Sequence, residues 1–425
     1  MEKMKRSQDV WVGIDWGEQE HSVSAVSERG ETLAQFRVPN TPAGYRMLDE
    51  RMARCGTVRG LAVETTRHPL VLHLREQGVM LYLINPKLSK AWRLTDTVSG
   101  AKSDDRDGLT LARGLAFRHA QLRPAVQGDP ALERLALLCE KECHLIDRRT
   151  ALVQELQSLL KVYYPAALRF FDDWTAPAAW DFLKRFPDAR TLTRAQASTV
   201  IAFLKGHRLG YSKHWEDKVR TRGEAGDWPV HPQQAVYQML VHAIVGQLHA
   251  LMGALRQFRA EIATAFQALP QAAIVASLPG AGPKLAPRLT AIVGAPQVQS
   301  GEFMVLRTHT GVAPVTVQSG KRRVVRIRHT CNKTWRNTMH LFAWCSTRFS
   351  PWAQAFYRCR RTAGDTHSTA LRKLGDKWLK IIRRILETRQ PYSEDLYMSA
   401  LQRSNSPLYQ FIRQGYAGKP CGEPT

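Results

Sequence analysis

Asp15 closes an apolar run in VWVGIDWG, and Glu64 closes another in LAVET. A carboxylate at the end of a buried strand needs a partner, because an unpaired buried charge is expensive. A third cluster, KSDDRDG, sets Asp104 and Asp107 three residues apart at the expected start of a helix. That spacing puts both on one helix face. Each feature alone has a plain structural explanation, since such acids serve as turn residues, N-caps or first-turn partners of the helix dipole. Together they can converge at one edge of a sheet, where four carboxylates repel one another unless cations sit between them. Oxygen-only ligands suit Mg2+ or Mn2+. Two such ions clamp the attacking and leaving oxygens of a phosphodiester. Asp105 lies in the same cluster, so a shift of one residue in the assignment stays open.

Ser319 precedes Gly320 and the cations Lys321, Arg322 and Arg323. A Ser before Gly is usually a turn residue. The chemical alternative is that Gly320 lets the backbone expose the hydroxyl while the cations hold a phosphate beside it and lower the cost of an alkoxide. Arg326, Arg328, Lys333 and Arg336 continue the basic run, and Lys102 stands beside the acidic cluster. All of these are candidate nucleic-acid contacts.

The charge distribution points the same way. The 425 residues carry a net charge of +24, and a chain this basic repels itself unless an anion takes up the charge. Nucleic acid is the leading partner class, ahead of an anionic membrane surface. Residues 301–390 hold 19 Lys and Arg against 4 Asp and Glu, which is +15 of the total. The opening MEKMKRSQDV lacks the apolar stretch of a signal peptide. The longest uncharged stretch, 235–255, is broken by Gln238, His242, Gln247 and His249, and reads as an amphipathic helix. No membrane partner is expected. Seven scattered Cys with no C-x-x-C pair suggest neither a disulfide framework nor a zinc site, and a reducing cytosol follows.

The length suggests two to four domains. From 10 to 120, three strand signals are followed by helix–strand alternation, which argues for a mixed sheet with helices packed on it. The period then changes. Leu132, Leu135, Cys139, Ile146, Val153, Leu156, Leu160 and Tyr163 fall on one 3-4 stripe, and a cleaner one runs from Tyr237 to Leu269. These are coiled-coil seams; the two helices could pair as an antiparallel hairpin or meet another subunit. Between them, 165–235 is expected to be a compact helical insertion. The last part opens with SLPGAGPKLAPRL, either a helix-hairpin-helix phosphate turn or a plain helix–helix corner. It continues through the strand-like VVRIRH into basic helices. Aromatics among the cations, as in WRNTMHLFAW, could stack on bases. Trp378, Ile381, Ile382 and Ile385 are expected in the core, and His68 and His340 are expected to be structural.

The strand order, GIDWG, LAVET and KSDDRDG resemble the N-terminal RuvC-like domain of the DEDD insertion-sequence transposases, whose recombinases are guided by a bridge RNA. The resemblance implies that Asp15, Glu64, Asp104 and Asp107 are the acidic quartet holding Mg2+ or Mn2+, with Gly108 where Ala is usual. SLPGAGPKLAPRL, THTGVAPVTVQSGKRR and CNKTWRNTMH are similar to the second half of the same family, with Cys331 where Gly is usual and Trp335 where Leu is usual. It further implies that Ser319 is the nucleophile, and that acids and serine of different subunits complete one site.

The implied architecture is α/β plus all-α. An RNase H/RuvC-like mixed sheet with flanking helices spans 8–125, and a helical coiled-coil arm spans 130–270 with its insertion at about 165–235. A mostly helical, serine-bearing domain spans 271–392, and the tail 393–425 is unassigned. The implied function is RNA-guided, Mg-dependent strand cleavage and exchange by a dimer or tetramer in the bacterial cytoplasm, associated with the nucleoid when active. Its partners are element and target DNA and a structured guide RNA. Three other activities stay open: a hydrolytic junction resolvase using only the acids, a non-catalytic nucleic-acid scaffold, and a strand-Asp ATPase. The last needs further Gly-rich phosphate loops, and the sequence offers none with strand flanks.

Overall fold

The computed structural model describes residues 8–64, 68–96, 104–209, 212–295, 303–320 and 322–415; the side chains of Asp96, Asp104 and Arg323 also lie outside the described set. The chain divides into two compact units, 1–128 and 129–425.

The first unit is built on a five-stranded sheet of order β3-β2-β1-β4-β5, the mixed sheet expected of an RNase H-like fold. Its strands are β1 (Asp9–Asp15), β2 (Glu20–Ser27), β3 (Thr32–Pro39), β4 (Thr57–Val63) and β5 (Leu81–Leu83). β2 pairs antiparallel with β1 and β3, while β4 runs parallel to β1 and β5. Its helices are α1 (Pro42–Cys55), α2 (Pro69–Glu76), α3 (Pro86–Asp96) and α4 (Asp104–Arg118). Thr41 caps α1 and His68 caps α2, the His68 Nδ1 accepting the Leu70 N–H at 3.2 Å, so His68 has the structural role expected of it. One sheet face buries Val10, Val12, Ile14, Leu61 and Val63 against Leu48 of α1 and Leu70 and Leu74 of α2. The other buries Trp11, Val26 and Ala62 against Trp92 of α3 and Leu111, Ala112 and Leu115 of α4.

The second unit opens with α5 (Pro130–Tyr163), 34 residues long and capped by Asp129. Short helices α6 (Pro165–Phe170), α7 (Pro177–Arg185), α8 (Ala189–Arg194), α9 (Ala197–Gly206) and α10 (Lys213–Arg220) form the insertion. They fold around Phe170, Trp180, Phe182 and Phe186. The long α11 (Gln234–Gln267) returns along α5. Tyr163 stacks on Tyr237, Arg149 reaches Met252, Arg259 pairs with Glu142 and Arg134 with Glu261. Early residues of one helix meet late residues of the other, so the pair is an antiparallel hairpin. By length and composition alone α11 could cross a membrane; here Val241, Ile244, Val245 and Leu248 are buried against α5 and the insertion.

The remainder comprises α12 (Ala272–Ala276), α13 (Gly282–Val293), α14 (Phe303–His309), the hairpin β6 (Val315–Ser319) and β7 (Arg322–Arg326), α15 (Lys333–Ser346), α16 (Pro351–Thr362), α17 (His367–Thr388), α18 (Glu394–Arg403) and α19 (Pro407–Arg413). Trp352, Trp378 and Ile382 lie at the centre of its core. Leu408 and Phe411 join them, so the segment the sequence left unassigned completes this core as far as Phe411. The Gly-rich corner before α13 has a packing role. Gly280 has φ +80°, and a Cβ there would lie 2.8 Å from the Cys345 backbone. Cys55, Cys139, Cys143, Cys331 and Cys345 are free thiols, and Cys359 is disulfide-bonded, one bond that the sequence did not lead us to expect.

Candidate active site

Alternation along each strand decides which face its terminal acid takes. In β1, Val12 and Ile14 face α1 and α2, whereas Trp11 faces α4; Asp15 follows on the α4 side. In β4, Leu61 and Val63 face α1 and α2 and Ala62 faces α4, which puts Glu64, one residue beyond the strand, on the α4 side too. The register pairs Ile14 with Val63. Asp15 and Glu64 therefore end neighbouring parallel strands, about 4.8 Å apart in such a sheet, on one face.

The α4 helix is seated on that face by two glycines. A Cβ on Gly13 would collide with the Gly108 carbonyl oxygen and the Ala112 nitrogen. A Cβ on Gly108, where the family resemblance expects Ala, would sit 3.1 Å from the Ser22 carbonyl oxygen. This close approach delivers the first turn of α4, with its acids, to the strand edge at Asp15. Ser22, the cross-strand partner of Asp15, donates its hydroxyl to Asp105 at 2.9 Å.

The described acids of that turn have different partners. Asp105 points to β2 and β3, accepting from Arg37 Nε at 3.1 Å and Nη2 at 3.2 Å as well as from Ser22. The bonds from Arg37, then that from Ser22, hold its carboxyl below the usual range. Asp107 is only 4% exposed and forms an ion pair with Arg93 of α3, Nε to Oδ1 2.7 Å. Trp92, the neighbour of Arg93, packs against Gly114 and fixes α3 on α4. Arg93 escaped the sequence reasoning because α3 itself did. The signal was there: Asn85 accepts the Lys87 N–H at 2.9 Å and Pro86 takes the first helical position.

Among the described residues, no three His, Cys, Asp or Glu side chains are grouped to hold a metal ion. The Asp104 side chain lies outside that set, as does Lys102. The donors that are placed are all oxygens, the kind a hard divalent cation takes; two end adjacent strands on one face, while the Asp107 carboxylate is paired with Arg93. Behind the edge, His21 is fully buried and its Nδ1 accepts the Gly17 N–H at 3.2 Å, which ties down the turn after Asp15. Burial first, then His68, pushes its pKa down, keeping the ring a neutral acceptor.

Ser319 stands in a different setting. It pairs with Arg322 across the last rung of β6–β7, and Gly320 at φ +58° starts a tight turn with open space around its Cα. Left-handed turns of this kind match the twist of a hairpin. Ser319 is exposed, and Val317, Val325 and Ile327 are 45%, 59% and 40% exposed. Lys321 lies outside the described residues. Arg326 pairs with Val315 at the hairpin base, and Arg328 donates to the Ala313 carbonyl at 3.3 Å. Lys333 and Arg336 occupy the first turns of α15, after the Asn332 cap.

A DEDD transposase family model matches residues 12–165. The model for transposases of the IS116/IS110/IS902 family matches residues 272–358. The IS117 mini-circle protein of Streptomyces coelicolor is 31% identical over 94% of this chain and 98% of its own length. The insertion element IS116 protein of Streptomyces clavuligerus is 26% identical over 91% and 97%. The insertion element IS900 protein of Mycobacterium paratuberculosis is 25% identical over 91% and 98%.

Proposed function

Since the chain belongs to the IS116/IS110/IS902 family of insertion-sequence transposases, we propose that it cuts and rejoins DNA through a serine ester formed by Ser319, with Asp15, Glu64, Asp104 and Asp107 as its metal-holding acids. The observation that carries this is the seating of α4 on β1 through Gly13 and Gly108, which brings a buried carboxylate to the face and edge where Asp15 and Glu64 end.

Mg2+ or Mn2+ held by these acids would supply charge neutralisation at the scissile phosphate. The protein's own groups do the rest. The Ser319 oxygen attacks phosphorus, an O–P bond forms, and the bond to the leaving deoxyribose oxygen breaks. The strand stays on the protein as a phosphoserine ester, and a new hydroxyl reverses the step on a different end. Arg322, opposite Ser319, holds the phosphate and stabilises the developing alkoxide. A structured guide RNA selects the DNA by base pairing while cations grip its backbone, a division of labour used by other RNA-guided proteins. Functionally, 8–125 is the nuclease domain, 130–270 a helical arm and 271–392 the serine-bearing domain, and two or four copies make up the active assembly. The work is done on nucleoid DNA in the cytoplasm.

The test uses the purified chain with its associated RNA, Mg2+ and end-labelled junction DNA, resolved on denaturing gels. Label on the protein, lost in both Ser319→Ala and Asp15→Ala, is expected. Free cleaved DNA from the parent and from Ser319→Ala, but not from Asp15→Ala, would replace the serine mechanism with hydrolysis.

A further inference from the structure

We propose that Arg336, His340 and Trp344 of α15, with Arg348, Tyr357 and His367 beside them, form a stacking platform for unpaired nucleotides of a nucleic-acid strand. Residues four apart on a helix share a face, so Arg336, His340 and Trp344 make a row, and the Arg348 guanidinium lies 5.7 Å from the Trp344 ring centroid. Tyr357 of α16 and His367 at the start of α17 close the group. Trp344 is 5.2 Å from His367 and 5.8 Å from Tyr357, and His340 is 6.0 Å from His367, centroid to centroid. The Tyr357 hydroxyl and His367 Nδ1 are 2.8 Å apart. The rings meet at 70–84° rather than stacking face to face.

Packing at the rim of the core explains why Trp344 and Tyr357 are half-buried. It does not explain why two histidines and two arginines gather around them. The described acids of residues 303–390 are engaged by other bases: Asp365 by Arg360 and Lys373, Asp376 by Arg307, and Glu387 by Arg383. Burial, then His367 and Arg336, push the His340 pKa down. After burial, the charges acting on His340 are those of basic neighbours. A nucleotide strand answers both needs, since bases stack on rings and phosphates meet cations. This inference rests on the DNA-processing function above and specifies where an unpaired strand is gripped.

The probes are fluorescein-labelled single strands of DNA and of RNA, each with one 5-iodouracil, and a duplex of equal length, all offered to the full chain. Irradiation is expected to crosslink the single strands to the peptides bearing Trp344, Tyr357 or His367. Trp344→Ala and the exposed-site variant His367→Ala should weaken single-strand binding, with Trp344→Ala losing about 5- to 150-fold, equivalent to the 1–3 kcal/mol of one stacked base. Trp344→Phe should keep most of the affinity, and duplex binding should change less than twofold. Preference for DNA or RNA identifies the strand; either supports the platform. Crosslinks that map elsewhere, or equal losses on single strands and duplex, overturn it. If those outcomes come with intact protein-linked cleavage, only the platform fails. A parent chain that binds neither strand nor duplex would sink the transposase mechanism as well.

Discussion

The acid edge of the first unit and the serine hairpin of the second are opposite kinds of construction. Asp15 and Glu64 end buried strands, α4 is pressed onto β1 without room for a methyl group, and Asp107 is buried against Arg93. Ser319 ends an exposed two-stranded ribbon whose valines face solvent, and such a ribbon alone is marginally stable. The acids are held by the fold, whereas the ribbon has little fold to hold it. Charge follows the same division. Arg93 and Arg37 compensate Asp107 and Asp105, while the cations around the ribbon far outnumber the acids of their segment. The acids of the edge are pre-built against neighbouring arginines, and the cations of the ribbon are left unbalanced.

The contrast is broken most directly at the glycines. Gly13→Val should destabilise the first unit by about 3 kcal/mol or more, through overpacking against α4, whereas Gly320→Ala should cost about 1 kcal/mol for its left-handed backbone. Urea melts decide, and a Gly13→Val protein as stable as the parent would mean that α4 is not seated on β1. Next come the two ion pairs. Arg93→Ala, which strands a buried carboxylate, should cost about 3–5 kcal/mol. Arg37→Ala, in a pair whose side chains are 47% and 53% exposed, should cost at most about 1 kcal/mol. Double-mutant cycles with Asp107→Leu and Asp105→Ala measure both couplings, and equal values would erase the distinction between pre-built and solvated charge.

On the basic side, Arg322→Ala and Arg326→Ala should each leave stability within about 0.5 kcal/mol. Each should make the slope of log affinity for DNA against log salt shallower by about 0.9. Binding titrations from low to moderate salt read this, and unchanged slopes would remove the hairpin from the interface. The smallest effect concerns pH. Because the pKa of His21 in the fold lies below its ordinary 6.5, its contribution to stability is complete above 6.5. It is lost as pH falls from 6.5 through the lowered value. His21→Asn should flatten that part of the stability curve, and an unchanged acid limb would exclude His21 as its source.

Much of this was readable in the residues. Apolar runs placed Asp15 and Glu64 at strand ends, and the 3-4 stripes marked α5 and α11, because local pattern alone sets both. The run of cations after 301 required no fold at all. What lies over each face was not readable. The α3 helix is short and follows a three-residue strand, so its local pattern is faint, and Arg93 became visible only through its contact with Asp107. The distinct partners of Asp105 and Asp107 depend on how far α4 sinks onto β1. That depth is set by two glycines, 95 residues apart in the chain. Likewise the stripes allowed α5 and α11 either to pair or to meet another subunit, and the choice rested on contacts such as Glu142 with Arg259. The sequence determined which residues face outward from each element and with what charge. The tertiary structure alone decided which of them meet, because contacts between distant segments depend on packing that no local pattern encodes.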